Sequence, residues 1–197
     1  MIEVINQFTV QMALNSLARN IEGMEWDDKF CLIGILKGGV YTLHELLKRF
    51  TNKRNITVGY LGLSSYGKEM VSACKIKVTY PLDLELKCLV NRNVWIIDDV
   101  YDSGLTMGFA VQMVEATLEH YGGIDRIKTA VLVRKENVQQ QGRTIVPNLI
   151  GIDYPCSDFL VGAGMGKGEK YRCFDSIYKL EPDEMEQELS NDRDKSS

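Results

Sequence analysis

Three carboxylates and two aliphatic hydroxyls fall in one short stretch, Asp98-Asp99-Val100-Tyr101-Asp102-Ser103-Gly104-Leu105-Thr106. Adjacent carboxylates at the carboxyl end of a strand can accept hydrogen bonds from a pair of sugar hydroxyls, and ribose has such a pair. Ser103 and Thr106 add hydroxyls, while Gly104 lets backbone N–H groups approach an anion. The chemistry these types and spacings suit is the binding of a phosphorylated sugar. Taken alone, Asp-Ser-Gly is also an ordinary turn with a helix cap, and acids at a strand end are often simply solvated.

The flanking elements favour the first reading. Val94 to Ile97 is a short apolar run rich in β-branched residues, suited to a strand covered on both faces of a parallel sheet. After the loop, Met107, Ala110, Val111, Val114, Leu118 and Tyr121 follow helical spacing and line one face, so the positive end of that helix points back at the loop. A second strand–loop–helix unit precedes it. Phe30 to Leu36 reads as a buried strand, Lys37-Gly38-Gly39 as a loop, and Val40, Leu43, Leu47 and Phe50 as the apolar face of a helix. Two glycines free the backbone to turn N–H groups inward, and Lys37 brings a mobile point charge suited to phosphate. The same tripeptide also serves as a plain connection between strand and helix.

Around these units the chain alternates. Val10, Leu14, Leu17, Ala18 and Ile21 mark a first amphipathic helix with Gly23 as its stop. Ile56 to Leu63 is a third strand, followed by the polar segment Ser64-Ser65-Tyr66-Gly67-Lys68 and by Ile76 to Tyr80, which reads as the returning strand of a hairpin. Leu82 to Asn91 is a connection. Beyond Gly122-Gly123, Ile127 to Val133 is a buried strand ending in Arg134-Lys135, where a cation can meet a carbonyl oxygen or stay solvated. Asn148 to Ile152 is a short strand, and Pro155 opens a turn. Strands alternating with helices, with charged or Gly-rich loops at their carboxyl ends, give the fold class as α/β, with a Rossmann-like core and a mostly parallel sheet.

Composition narrows the function classes. The chain has 197 residues, 45% of them hydrophobic, enough for one domain with a sizeable core. A net charge of −4 leaves no footprint for nucleic acid or an acidic membrane surface. No apolar run reaches membrane-spanning length and the first residues lack a signal-peptide pattern, so a cytoplasmic protein is expected. The five cysteines include no Cys-x-x-Cys pair and are expected as reduced thiols. Neither a Walker lysine motif nor a Gly-x-Gly-x-x-Gly fingerprint is present. From Glu181 the chain holds seven acids against two bases, so that the first 180 residues carry 20 acids and 21 bases. The segment 181–197 is expected to be a disordered tail.

The whole run from the apolar strand through Asp98-Asp99-Val100-Tyr101-Asp102-Ser103-Gly104-Leu105-Thr106 to the amphipathic helix resembles the signature of the type I phosphoribosyltransferases, which bind 5-phosphoribosyl-1-diphosphate (PRPP). Leu36-Lys37-Gly38-Gly39 resembles the pyrophosphate loop of the hypoxanthine-guanine and xanthine-guanine members, and ordered motifs extend the resemblance over roughly Cys31 to Leu180. It implies a single phosphoribosyltransferase domain over 1–180, with a core of about 25–152 and a small hood from the N-terminal helix and 153–180. The implied reaction is transfer of phosphoribosyl from PRPP to a 6-oxopurine, with Mg2+ as cofactor and purine salvage as the setting. A dimer or tetramer is implied as well.

Carried over residue by residue, the resemblance gives Asp98 and Asp99 to the ribose hydroxyls, directly or through magnesium. Ser103, Gly104, Leu105 and Thr106 fall to the 5′-phosphate, and Asp102, beside purine N7, to general acid/base work. Lys37, Gly38, Gly39 and Arg172 fall to pyrophosphate, together with Ser65 and Tyr66 in a mobile loop that closes over the site. Lys135, or Arg134 one residue earlier, meets the exocyclic oxygen of the base. Phe159 stacks on the purine and the backbone of Leu160 reads its edge. One departure stands out. Where many members read Gly-x-Gly-Leu-Asp-Tyr, this chain reads Gly162-Ala163-Gly164-Met165-Gly166-Lys167, so Gly166 replaces an Asp near pyrophosphate, metal and base, with Glu169 or Asp175 as substitutes. That departure sustains an alternative, a PRPP- or nucleotide-binding regulator of the same fold with little transferase activity.

Overall fold

In chain order the elements are β1 (Ile2–Ile5), α1 (Gln7–Met24), β2 (Phe30–Leu36), α2 (Gly39–Arg49), β3 (Thr57–Tyr66), β4 (Lys75–Tyr80), β5 (Asn93–Tyr101), α3 (Leu105–Leu118), β6 (Ile127–Lys135), β7 (Leu149–Tyr154), β8 (Leu160–Val161) and β9 (Ile177–Lys179). The computed structural model describes residues 1–25, 29–66, 75–85, 88–90, 92–119, 127–135, 145–181 and 184, with 65, 66 and 75 described by backbone alone.

The apolar runs become the inner strands of a six-stranded sheet of order β4-β3-β2-β5-β6-β7, parallel except for the antiparallel edge strand β4. Both faces are covered, which is why these strands are apolar almost throughout. Leu14, Leu17, Leu43, Trp95 and Ile97 pack in the layer with α1 and α2, while Ile33, Ile96, Ala110 and Val114 pack in the layer with α3. The chain steps from β2 outward to β3 and then crosses to β5 on the other side of β2. The reversal leaves a crevice at the carboxyl ends of β2 and β5, the switch point where open α/β sheets take ligands. Both candidate anion loops leave the sheet there.

Packing rather than capping holds α1. Asn6 Oδ1 accepts from Thr9 N at 2.9 Å, a cap of about 1 kcal/mol, but Leu14, Leu17 and Ile21 are each almost wholly buried, at roughly 1.5–3 kcal/mol apiece. The helix runs one residue past the expected stop at Gly23, to Met24. The chain turns extended at Glu25, whose side chain points inward. The inward face of α2 also differs from expectation, with Thr42, Leu43 and Leu46 buried while Val40 and Leu47 are only partly covered. Tyr121, placed on the α3 face by its spacing, lies outside the described residues.

A second, small sheet, β1-β9-β8, joins Ile2–Ile5 to strands of the segment expected as the hood, with both pairings antiparallel. The N-terminal contribution to it is the strand Ile2–Ile5, whereas α1 packs on the core sheet, where Leu17 and Ala13 lie against Gly151 of β7. These short strands owe their existence to pairing across the length of the chain and carry no periodic signal of their own.

Glu25 closes the opposite end of the sheet from the crevice. Its carboxylate accepts from Trp95 Nε1 at 2.7 Å, Asn93 Nδ2 at 2.5 Å and Lys128 Nζ at 3.0 Å, and Lys128 also sits 5.3 Å from the Trp95 ring centroid. Glu25→Ala would strand a buried indole N–H and half-uncover a cation. A loss of about 2–4 kcal/mol is expected, measured as a shift in the urea midpoint with the denaturant slope unchanged.

Candidate active site

β5 does not end at Ile97 but runs through the acids to Tyr101, so Asp98 and Asp99 are strand residues, 7% and 9% exposed. Asp99 N donates to Asp98 Oδ1 at 2.9 Å and Val100 N to Asp99 Oδ1 at 2.8 Å. Burial pushes the Asp98 carboxyl well above the ordinary carboxylate range, and the neighbouring Asp99 pushes it further. Asp99 is raised by burial too, with the hydrogen bond from Asp98 and the charge of Arg172 among the influences drawing it back. Burial therefore favours retention of a proton by the pair above the ordinary carboxylate range.

The Lys37-Gly38-Gly39 loop lies directly on this pair. A Cβ on Gly38 would stand 1.7 Å from Asp99 Oδ2, and one on Gly39 would stand 2.7 Å from Ile97 O. Gly38 itself has φ −67° and ψ −43°, a conformation open to any residue. The sequence suggests glycine here for backbone freedom; in the structure it is required for close approach of the acids. The Leu36–Lys37 peptide bond in this loop is cis.

Gly104 is the opposite case. Its φ of 76° makes the left-handed turn into α3, and Leu105 N donates to Ser103 Oγ at 3.4 Å. A Cβ at Gly104 would also strike the Tyr101 hydroxyl at 2.6 Å. The open N–H groups of the first turn of α3 face the same crevice as the loop, an arrangement that attracts anions. Together the two loops and the end of β5 enclose a cleft of about 300 Å³. Ile35, Leu63 and Tyr101 also line it, and none of them was singled out from sequence; the only signal was their place at strand ends.

A neighbouring cleft of about 160 Å³ lies against the hood and contains Asp99, Asp102, Lys135, Phe159, Leu160 and Arg172. The two candidates Arg134 and Lys135 take different positions. β6 continues to Lys135, which is buried with Nζ 3.3 Å from Asp102 Oδ2, while Arg134 pairs with Asp153 at 2.6 Å away from the site. Phe159 lines it and is 38% exposed, and Leu160 is buried in β8.

The hood loop carries the sequence departure. Arg172 Nη1 donates to Gly164 O at 2.9 Å and Nη2 to Gly168 O at 2.8 Å, so the guanidinium clasps its own loop. Gly166 lies against it; a Cβ there would be 2.7 Å from Arg172 Cγ and 2.5 Å from Lys170 O. No larger residue fits at 166 unless both the Lys170 backbone and the Arg172 side chain move. Glu169, at the tip of the turn, reaches Lys37, with Oε1 2.5 Å from Nζ. The hydrogen bond from Lys37 holds the Glu169 carboxyl below its ordinary range. Asp175 is exposed, and its charge adds to burial and Glu45 in pushing the Tyr41 phenol up.

Of the sequence-derived site residues, the structure brings Lys37, Gly38, Asp98, Asp99, Asp102 and residues 103–106 to one cleft and Lys135, Phe159, Leu160 and Arg172 to the next, with Asp99 and Asp102 in both. The closing segment is placed only in part. Backbone through Tyr66 continues β3, paired with β4, so Ser65 and Tyr66 begin as strand rather than loop; their side chains, and Gly67 and Lys68, lie outside the described residues. No cluster of three or more His, Cys, Asp or Glu side chains is set to ligate a metal among the described residues. Asp98 and Asp99 nonetheless suit magnesium, which typically takes one or two carboxylates and completes its shell with water and substrate phosphates. Among the described residues no helix is long and apolar enough to cross a membrane.

The family described as the phosphoribosyl transferase domain matches residues 5–154. Similar proteins include the hypoxanthine-guanine phosphoribosyltransferase of Aquifex aeolicus, 28% identical over 179 residues, covering 90% of this chain and 93% of that one. Among solved structures, a hypoxanthine phosphoribosyltransferase from Staphylococcus aureus superposes with a TM-score of 0.77 at 21% identity, covering 92% of this chain and 91% of that one. The Trypanosoma cruzi hypoxanthine phosphoribosyltransferase, solved with its product IMP, has a TM-score of 0.74 at 18% identity, covering 92% of this chain and 94% of that one.

Proposed function

The chain belongs to the phosphoribosyl transferase family, and on that premise we propose that it transfers phosphoribosyl from PRPP to N9 of a 6-oxopurine, releasing pyrophosphate in purine salvage. The observation that carries this reading is the sharing of Asp99 and Asp102 between two adjoining clefts, one lined by Lys37, Gly38 and residues 103–106, the other by Lys135, Phe159 and Arg172. A reaction that joins a sugar to a base needs its two substrates to meet at such a boundary.

The chemistry follows from the lining. At the ribose anomeric carbon the transition state is oxocarbenium-like, and negative charge grows on the departing pyrophosphate. Fixed cations and N–H donors must stabilise that charge. Lys37 and the backbone of the Gly38-Gly39 loop supply them, with the Arg172 charge close by. Asp98 and Asp99 hold the ribose hydroxyls, and they are also the residues that would hold magnesium, which when bound neutralises charge on the pyrophosphate oxygens. Residues 103–106 and the amino end of α3 take the 5′-phosphate. Phe159 offers its exposed ring to the base, Lys135 offers an ammonium to the exocyclic oxygen, and Asp102 takes or returns the proton at the purine imidazole.

Pyrophosphate release from PRPP and magnesium, measured separately with hypoxanthine, guanine, xanthine, adenine and no base, tests the reading. Release with one or more of the first three and none with adenine is expected. PRPP binding without release for any base would instead favour a nucleotide-binding regulator, to which the engaged guanidinium of Arg172 would then belong.

A further inference from the structure

The contact between Lys37 and Glu169 joins two loops 132 residues apart and lies at the site proposed for pyrophosphate. Several features distinguish it from an incidental surface pair. The Glu169 turn is closed by the bridge between Lys167 and Lys170, with Lys170 N donating to Lys167 O at 3.2 Å. Gly168 within it takes a φ of 57°, and Arg172 ties it back through Gly168 O and Gly164 O. Gly164 in turn packs on the anion loop so closely that a Cβ would lie 2.4 Å from Gly38 O. The hood therefore presents one carboxylate, on a braced turn, to the one ammonium of the anion loop.

An ammonium has three donors, but geometry is not what limits sharing. Pyrophosphate carries several negative charges, and a carboxylate held beside it is repelled by each of them, less in water than beside a protein surface. Two anions can occupy the same lysine only at that cost or with a cation between them.

We propose that Glu169 is an intramolecular competitor of pyrophosphate: its carboxylate yields Lys37 to the arriving diphosphate group and takes it back as product leaves. The inference rests on the assignment of Lys37 to pyrophosphate made above. It gives the hood a part in turnover besides base binding, because a site that held pyrophosphate with full strength would release it slowly. Since both side chains are exposed, the effect is modest, a few-fold rather than orders of magnitude.

Titration calorimetry with inorganic pyrophosphate, with and without magnesium, on Glu169→Gln, Lys37→Ala and the double variant tests it. Glu169→Gln should tighten pyrophosphate about two- to fivefold in both conditions, and the gain should vanish in the Lys37→Ala background. Unchanged affinity overturns the proposal. Weaker binding confined to magnesium solutions also overturns it and makes Glu169 a metal ligand. If Lys37→Ala alone leaves pyrophosphate affinity intact, the assignment of Lys37 fails first, and that result is distinct from a failure of Glu169 to compete.

Discussion

Asp102→Asn should lower turnover by about 10²–10⁴-fold while PRPP affinity changes less than tenfold. Asp102 sits on the boundary of the two clefts, with a side chain 60% exposed and, among the described residues, anchored by the 3.3 Å contact to Lys135. A buried, tightly paired carboxylate would be poorly placed to exchange a proton. This one has a free oxygen and the room to meet a purine nitrogen. Asparagine keeps the shape and an acceptor for Lys135, so substrate contacts survive, but it cannot take up a proton as the base attacks. Steady-state kinetics with direct titration of PRPP separates the two effects. Unchanged turnover would remove Asp102 from the chemistry and leave it as the partner that orients Lys135.

The legible parts of this molecule were those that carry their own local signals. The stretch from Val94 to Leu118 announces strand, loop and helix through apolar run, turn residues and helical spacing, and those three elements stand where the sequence placed them, apart from the longer strand. Lys37-Gly38-Gly39 was legible as a loop but not for its reason. Only the fold shows that Asp99 occupies the space a Gly38 side chain would need. The hood was legible by resemblance and illegible by pattern, because β1 and β9 meet across almost the whole chain and β8 is two residues long. Glu25 carries no local signal of its role. A lone acid after a helix looks solvated, and its role depends on Trp95 and Lys128 arriving from two other strands. Gly166, read as a missing acid, is in the structure the space into which Arg172 folds.

The acids of β5 make a trade between stability and binding, and Asp98→Asn should expose it. The substitution is expected to raise the melting temperature near pH 8 while weakening PRPP-magnesium about ten- to hundredfold through lost charge-assisted contacts. The sign follows from the raised carboxyl of Asp98. An unfolded chain releases this proton near pH 3.9, whereas the folded chain holds it to higher pH. Between those limits the folded state binds more protons, so its stability falls as pH rises through the folded pKa. Asparagine is the uncharged isostere. It keeps the Oδ1 acceptor for Asp99 N and replaces the proton donor with an amide N–H, so no deprotonation penalty remains. The stability curves of the two proteins should therefore converge at acid pH, where Asp98 is protonated, and separate as pH rises, with the variant above. Calorimetric melting across that range reads this directly, and curves that stay parallel would mean that the pair is not strained by its charge. Convergence with unchanged PRPP affinity would separate the burial of Asp98 from its binding role and shift the ribose and magnesium contacts to Asp99 alone.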